Sequence, residues 1–184
     1  MKKAFFVLVL VFSLVVIIPR LHAEIKKSDV DGWGKSRWGM TADDIVKVFA
    51  GEATLISNAK DGTTPGLSGQ YDAHIGATIK KILIQSDPYK VSFVFDDKTG
   101  GLIRVILEPL GDFSEVRFNA LEALLSEKYG PATYKEDVKR PCHSLERRWA
   151  FSSTTIRFDF LNCGSGIIAF IAYQKNIMTD SDKL

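Results

Sequence analysis

The stretch Trp38-Gly-Met-Thr-Ala-Asp-Asp-Ile-Val-Lys-Val-Phe-Ala-Gly51 predicts one complete helix with a signal at each end. Thr41 is placed to be the N-cap, because its hydroxyl can accept a backbone N–H of the first turn and Asp44 can reach back as in a capping box. Gly51 can end the helix. The apolar stripe of the helix consists of Ile45, Val48 and Phe49. We expect the rest of the chain to be strands packed on this helix and on a second one.

The second helix is predicted from about Ser114 to Tyr129, where apolar residues recur at helical spacing and Gly130-Pro131 follows. Strand-like runs lie on both sides of it. Two are short or weak, at 53–56 and 132–137; the stronger ones are at 77–85, 90–95, 102–108, 144–151, 154–161 and 167–173.

The two halves of the chain resemble each other in the order of their elements. One helix leads into Gly51-Glu-Ala-Thr54 and the other into Gly130-Pro-Ala-Thr133, 79 positions later, and a meander of three runs follows each. We therefore predict an α+β fold of two α-β-β-β units, about 38–110 and 112–175, which form an antiparallel sheet with both helices packed on one face.

Residues 1–23 have the features of a secretory signal peptide. Lys2 and Lys3 precede an apolar run of 15 residues, and Leu21-His22-Ala23 offers a cleavage site before Glu24. The run is shorter than the ~20 residues that span a bilayer as a helix, so we predict cleavage after Ala23, with an uncleaved N-terminal anchor as the alternative. The short signal is typical of bacterial export and predicts a periplasmic or secreted protein.

Removal of this segment changes the charge of the chain. The full chain has 24 Lys and Arg against 22 Asp and Glu; the segment holds three of the basic residues and no acid, so the mature chain has a net charge of −1. That balance does not favour nucleic acid or an anionic membrane as partner, and no membrane span is expected after cleavage. We expect a polar lead-in at 24–35, a single domain at 36–176 and a flexible tail at 177–184.

The two cysteines predict a disulfide. If Ser152-Ser153 is a two-residue turn, the hairpin register puts Cys142 opposite Cys163. The same register puts Trp149 and Leu145 opposite Ile156 and Phe160 on one face, and the charged residues Glu146, Arg148, Arg157 and Asp159 on the other. A disulfide is the expected state in an oxidising compartment; a reactive thiol, or a metal site of Cys142, His143 and Cys163, is the alternative.

The search for catalytic motifs is negative. The sequence has no nucleophile elbow, zinc-protease motif, phosphate-binding loop or dinucleotide-binding motif, so we predict no catalytic, cofactor-binding or metal-ligating residues. Candidate partner contacts are Trp33, Tyr71 and His74, the last two in or beside the long polar segment 57–76. Trp38 is instead expected to pack beneath the first helix.

Two motifs carry a resemblance to known proteins: Trp38-Gly-Met-Thr41 before a short helix, and Leu124-Leu-Ser-Glu-Lys-Tyr-Gly-Pro131 before a Trp-containing hairpin. The layout resembles small exported bacterial proteins of unknown function with helix-plus-meander units. It is also similar to SmpA-type outer-membrane assembly lipoproteins and to β-lactamase-inhibitor-protein-like domains. This chain lacks the lipid-anchoring cysteine of the lipoproteins, so membrane tethering is not implied. What the resemblance implies is protein binding rather than catalysis.

The expected function is a non-enzymatic interaction module of the cell envelope, whose sheet face or loops contact another envelope protein. Two alternatives stay open: a small hydrolase that uses the 57–76 segment with His74 and Asp72, and a carrier that holds a small ligand or lipid between the helices and the sheet.

Overall fold

The computed structural model describes residues 29–56 and 72–176. The predictions for the signal peptide, the start of the lead-in, the segment 57–71 with Tyr71, and the tail all fall outside this part. The described elements, in chain order, are α1 (Ala42–Val48), β1 (Ala53–Leu55), β2 (Ala73–Ile84), β3 (Asp87–Asp96), β4 (Leu102–Pro109), α2 (Glu115–Tyr129), β5 (Tyr134–Val138), β6 (His143–Ala150), β7 (Thr154–Asn162) and β8 (Ile167–Lys175).

The strands form one antiparallel sheet in the order β1-β2-β3-β4-β8-β7-β6-β5. Each half of the chain therefore runs from an edge of the sheet to its centre, where β4 pairs with β8 and joins the halves; Leu107 lies opposite Ile171 in this pair. The fold is α+β with an antiparallel sheet, as predicted. Neither described helix is long and apolar enough to cross a membrane.

The three-strand units that we predicted differ from this arrangement, because each helix is followed by four strands. The short runs after the helices, β1 and β5, pair with β2 and β6 and form the two edges of the sheet. The first long hairpin also turns earlier than expected. Gln85 and Ser86 take positive φ values of 49° and 75° at the turn, and Asp87 and Pro88 already belong to β3.

The start of α1 agrees with the sequence prediction. Thr41 Oγ1 accepts the Asp44 N–H at 3.2 Å, and the Asp44 carboxylate accepts the Thr41 N–H at 3.0 Å, which completes a capping box. Ser114 caps α2 with its hydroxyl oxygen, which accepts the Arg117 N–H at 3.3 Å. These side chains satisfy backbone donors that a helix leaves unpaired at its start.

The core lies between the sheet and the two helices. Buried side chains of both helices belong to one apolar cluster with one face of the sheet, which we call the helix face. Ile45 and Phe49 fill the first half of this cluster, and Phe118 stacks on Phe158 in the second half with ring centroids 4.1 Å apart. Trp149 is fully buried, and its indole N–H donates to the Gly130 carbonyl at 2.8 Å, which fixes the end of α2 against β6.

The β6–β7 hairpin has the predicted register. Trp149 lies opposite Ile156, and Leu145 lies opposite Phe160. One position beyond the last strand pair, Cys142 and Cys163 form a disulfide with their Cα atoms 4.5 Å apart. A disulfide of this kind is compatible with an extracytoplasmic location.

Residues that precede α1 are bound to the second half of the chain. The Asp29 carboxylate accepts the Ser153 N–H at 2.9 Å, and the Trp38 indole donates to Thr154 Oγ1 at 2.8 Å. Thr154 Oγ1 in turn donates to the Val30 carbonyl. The part of the predicted lead-in that is described therefore packs on the domain at the β6–β7 turn.

Candidate functional site

The face of the sheet opposite the helices carries a row of side chains that crosses several strands. Tyr134, Arg148, Arg157 and Ala172 occupy neighbouring positions on β5, β6, β7 and β8. Because side chains alternate between the two faces of a strand, residues paired in register in this way share one face. Towards the centre of the sheet, the same face holds a small buried cluster of Val94, Ile106 and Ala172. At β5–β7 it is charged.

Two like-charged pairs lie side by side in this charged region. Arg148 is the cross-strand partner of Arg157, and Glu146 is the cross-strand partner of Asp159. We call the first pair the arginine rung and the second the acid rung. Like charges directly opposite each other are unfavourable, so each rung depends on its neighbour for compensation.

Ion pairs between the rungs supply that compensation. Arg148 donates from Nε to the Glu146 carboxylate. Arg157 Nε lies 3.3 Å from Glu146 Oε1 and donates to Asp159 Oδ1 at 3.0 Å. The Arg157–Glu146 contact is the diagonal pairing of opposite charges predicted from the sequence, whereas the other two contacts join residues of one strand.

The two rungs differ in depth. The side chains of Arg148 and Arg157 are 45% and 47% exposed, whereas those of Glu146 and Asp159 are only 11% and 13% exposed. Burial raises the pKa of Asp159 to about 6, against the lowering effect of Arg157, and the charge of Glu146 adds to the rise. In these two rungs the guanidinium groups are therefore more exposed than the carboxylates. Glu136, the cross-strand partner of Glu146 on β5, extends the acidic side of this face to the sheet edge and is exposed.

Tyr134 extends the row at the edge of the sheet. Its ring lies under the guanidinium of Arg148, at 4.8 Å from the ring centroid, and the residue is 41% exposed. A cation stacked on a tyrosine is held in place without losing its outward donors. We define the charged surface as Tyr134, Glu146, Arg148, Arg157 and Asp159.

Two of the three predicted partner contacts, Trp33 and His74, do not belong to this surface. Trp33 is partly buried on the helix face, where it stacks on Phe49 with ring centroids 5.9 Å apart and meets the edge of Phe93. The tryptophan that packs at the end of α1 is thus Trp33. Trp38 also packs on the core, but it is tied to Thr154 in the second half.

His74 lies on β2, separated from β7 by β3, β4 and β8. Its Nδ1 is 2.5 Å from Asp97 Oδ1. Asp72, which the hydrolase alternative names with His74, has its Oδ2 3.7 Å from Lys98 Nζ. Both members of the His74–Asp97 pair are about a third or more exposed. The third candidate, Tyr71, is outside the described residues.

The alternative uses of the cysteines do not fit the structure, because both sulfur atoms are in the disulfide. The neighbouring His143 has its Nδ1 3.6 Å from Glu115 Oε2 at the start of α2. Within residues 29–56 and 72–176, no group of three or more His, Cys, Asp and Glu side chains is placed to hold a metal ion.

A second feature is an apolar groove of about 650 Å³ on the helix face. Its floor includes Leu107 and Ile171, the pair that joins the two halves, and its walls include Trp33, Ile84, Leu121 and Leu124. The helices beside the groove differ in length: α1 has 7 residues and α2 has 15, so α1 spans a shorter part of its half of the sheet. Glu127 and Lys128 also line it.

The sequence placed the four charged residues on one face but did not single them out as a site. Tyr134 was not singled out because its position opposite Arg148 depends on the register across the β5–β6 connection, which was not worked out from the sequence. The sequence did contain one signal for this site: the register of the β6–β7 hairpin places two arginines opposite each other.

No family model matches this chain, and no curated protein or solved structure shows significant similarity to it.

Proposed function

We propose that this protein is exported to the periplasm, is cleaved after Ala23, and acts there as a non-enzymatic protein-binding module. The charged surface is the binding site in this proposal. The observation that carries it is the ordered arrangement of two half-exposed arginines and a tyrosine on a sheet face against which neither α1 nor α2 packs. Arginine and tyrosine are enriched among the residues that dominate protein interfaces.

Three further points support the proposal. The short basic start and apolar run of residues 1–23 favour export. The Cys142–Cys163 disulfide fits an oxidising compartment. The resemblance to SmpA-type lipoproteins and β-lactamase-inhibitor-protein-like domains also implies protein binding.

Site-specific photo-crosslinking in producing cells tests this function. A benzoylphenylalanine at position 134 should give a discrete protein adduct, because this residue borders the arginine rung. The matched control is the same amino acid at position 116, since Val116 is 78% exposed on α2 and lies on the helix side. Adducts at neither position, or equal adducts at both, would contradict the proposal. The mass of the processed chain tests cleavage after Ala23 in the same sample.

The groove favours a second candidate function, a carrier of an apolar ligand. A volume of about 650 Å³ lies in the usual range for small-ligand sites. Native mass spectrometry of the protein purified from its own compartment should then show a bound apolar molecule, and Leu124→Trp should remove it by filling the groove. An unliganded protein in native spectra would count against a carrier.

A further inference from the structure

We infer that the arginine rung is a receptor for a carboxylate of the protein partner, and that the partner surface that meets Arg148 and Arg157 is acidic. This inference rests on the proposed function and adds the chemistry of the partner. It is argued from the depth, register and remaining donors of the two arginines.

The first argument is the direct opposition of the two guanidinium groups. Arg148 and Arg157 are cross-strand partners, a geometry that brings two cations together. Glu146 Oε1 lies against the Nε atoms of both. The acid rung compensates the two positive charges from one side only. A carboxylate placed between the two outer ends would interact favourably with both charges at once.

The second argument concerns the donors left over. Arg148 uses Nε for Glu146, and the described residues accept nothing from its two terminal nitrogens. Arg157 uses Nε for Asp159, and its Nη2 makes only a long contact of 3.5 Å with Glu146 Oε2. Guanidinium forks match carboxylates with two parallel hydrogen bonds, so the donors that remain suit this ligand.

The third argument is access. On one side of the arginine rung lies the acid rung, which would repel an incoming anion. On the other side the next cross-strand pair is Ala150 and Thr155, which is small and uncharged, and along the row Arg157 is followed by Ala172. A carboxylate can therefore approach over Ala150 and Thr155, on the side away from Glu136, Glu146 and Asp159.

A peptide titration followed by NMR tests the inference directly. The probe is a pentaglutamate peptide with both ends blocked, added to ¹⁵N-labelled protein. We expect the Nε–Hε signals of Arg148 and Arg157 to shift, and a blocked pentaglutamine peptide to leave them unmoved. A pentaglutamine peptide with a free C-terminus shows whether an α-carboxylate serves as well as a side chain. Absence of a shift at these two signals, or equal shifts with blocked glutamine, would overturn the inference.

Variants distinguish recognition by the planar guanidinium fork from attraction by positive charge alone. Arg157→Gln should weaken pentaglutamate binding about tenfold, as expected for the loss of a charge-assisted hydrogen bond, and Arg157→Lys should weaken it severalfold because lysine lacks the planar fork. The control Lys47→Gln removes the same charge from an exposed position on α1 and should not change binding. If Arg157→Lys binds as tightly as the wild type, or Lys47→Gln binds as weakly as Arg157→Gln, general charge attraction explains the data and the receptor is rejected.

The crosslink at position 134 tells this inference apart from the proposed function. With Arg148→Gln and Arg157→Gln combined, the adduct yield should fall severalfold while the circular dichroism of the protein stays native. A full adduct yield in that variant would reject the acidic partner surface and leave protein binding in place. Because the two arginines also compensate the acid rung, Arg148→Lys with Arg157→Lys provides a second variant that keeps both charges.

Discussion

Arg147 donates from Nε to the Glu122 carboxylate at 2.8 Å, on the helix face of the sheet. The same guanidinium reaches Asp137 Oδ1 at 2.5 Å and stacks over Phe118 at 5.3 Å. It therefore ties α2 to both β5 and β6. Its neighbour Arg148 points to the charged surface on the other face, so two adjacent arginines serve a structural contact and a candidate binding site.

We expect Arg147→Ala to lower the free energy of unfolding by about 3 kcal/mol, because it leaves the largely buried Glu122 carboxylate without its main partner. Lys135→Ala, which removes the other and more exposed partner of Glu122, should cost less than about 1 kcal/mol. Urea denaturation followed by tryptophan fluorescence measures both. A similar cost for the two variants would show that Arg147 does not hold α2.

Gly76 is required by the packing of β2 against Phe95. A Cβ at this position would lie 2.8 Å from Phe95 Cδ2 and 3.4 Å from the Cβ of Ala42 in α1. We expect Gly76→Ala to destabilise the protein by about 1–3 kcal/mol, as overpacking of a core does. In Gly166→Ala the added Cβ meets nothing within 4 Å, so its melting temperature should stay close to that of the wild type. Equal melting temperatures for the two variants would contradict this packing.

The disulfide closes a loop with a sequence separation of 21 residues. Changing both cysteines to serine should lower the free energy of unfolding by about 3 kcal/mol, the value the chain-entropy model gives for loops of this size. Reductant should bring the wild type down to the stability of the double variant and leave that variant unaffected. The prediction fails if the wild type keeps its denaturation midpoint after its thiols have been shown to be free.

Asp159 should make stability depend on pH. Its pKa in the folded protein is raised from 3.8 to about 6, so the folded state binds the proton more tightly than the unfolded state. The burial penalty is therefore fully present above about pH 6 and is relieved as the pH falls. From about pH 7.5 to about pH 5, the unfolding free energy of the wild type should rise by about 1 kcal/mol relative to Asp159→Asn. A constant difference between the two proteins over this range would contradict the raised pKa.

The sequence predicted most of the features that depend on near neighbours along the chain. Thr41 and Asp44 are three residues apart, so their capping box follows from local geometry. The β6–β7 hairpin is similar: a two-residue turn fixes every later pair, including Cys142 with Cys163, because strand register admits no partial shift. The faces of Trp149 and Arg148 followed from the same rule.

Other features required contacts between residues far apart in sequence. Nothing local to His74 indicates that it pairs with Asp97 rather than Asp72, since the choice depends on the β2–β3 pairing. The sequence predicted short strand-like runs near β1 and β5. It did not predict that each becomes the fourth strand of its half. That depends on the whole sheet, because an edge strand forms only where a neighbouring strand pairs with it.

By itself, then, the sequence determined the caps of the helices, the alternation of side chains between the two faces of each strand, and the register of the β6–β7 hairpin. All three follow from backbone geometry over a few residues. Only the tertiary structure decided that β4 pairs with β8, that Arg147 is buried between α2 and β5, and that Tyr134 lies beside the arginine rung. The physical reason is that these contacts close long loops of the chain, and their stability comes from the burial and charge compensation that the assembled sheet and helices provide.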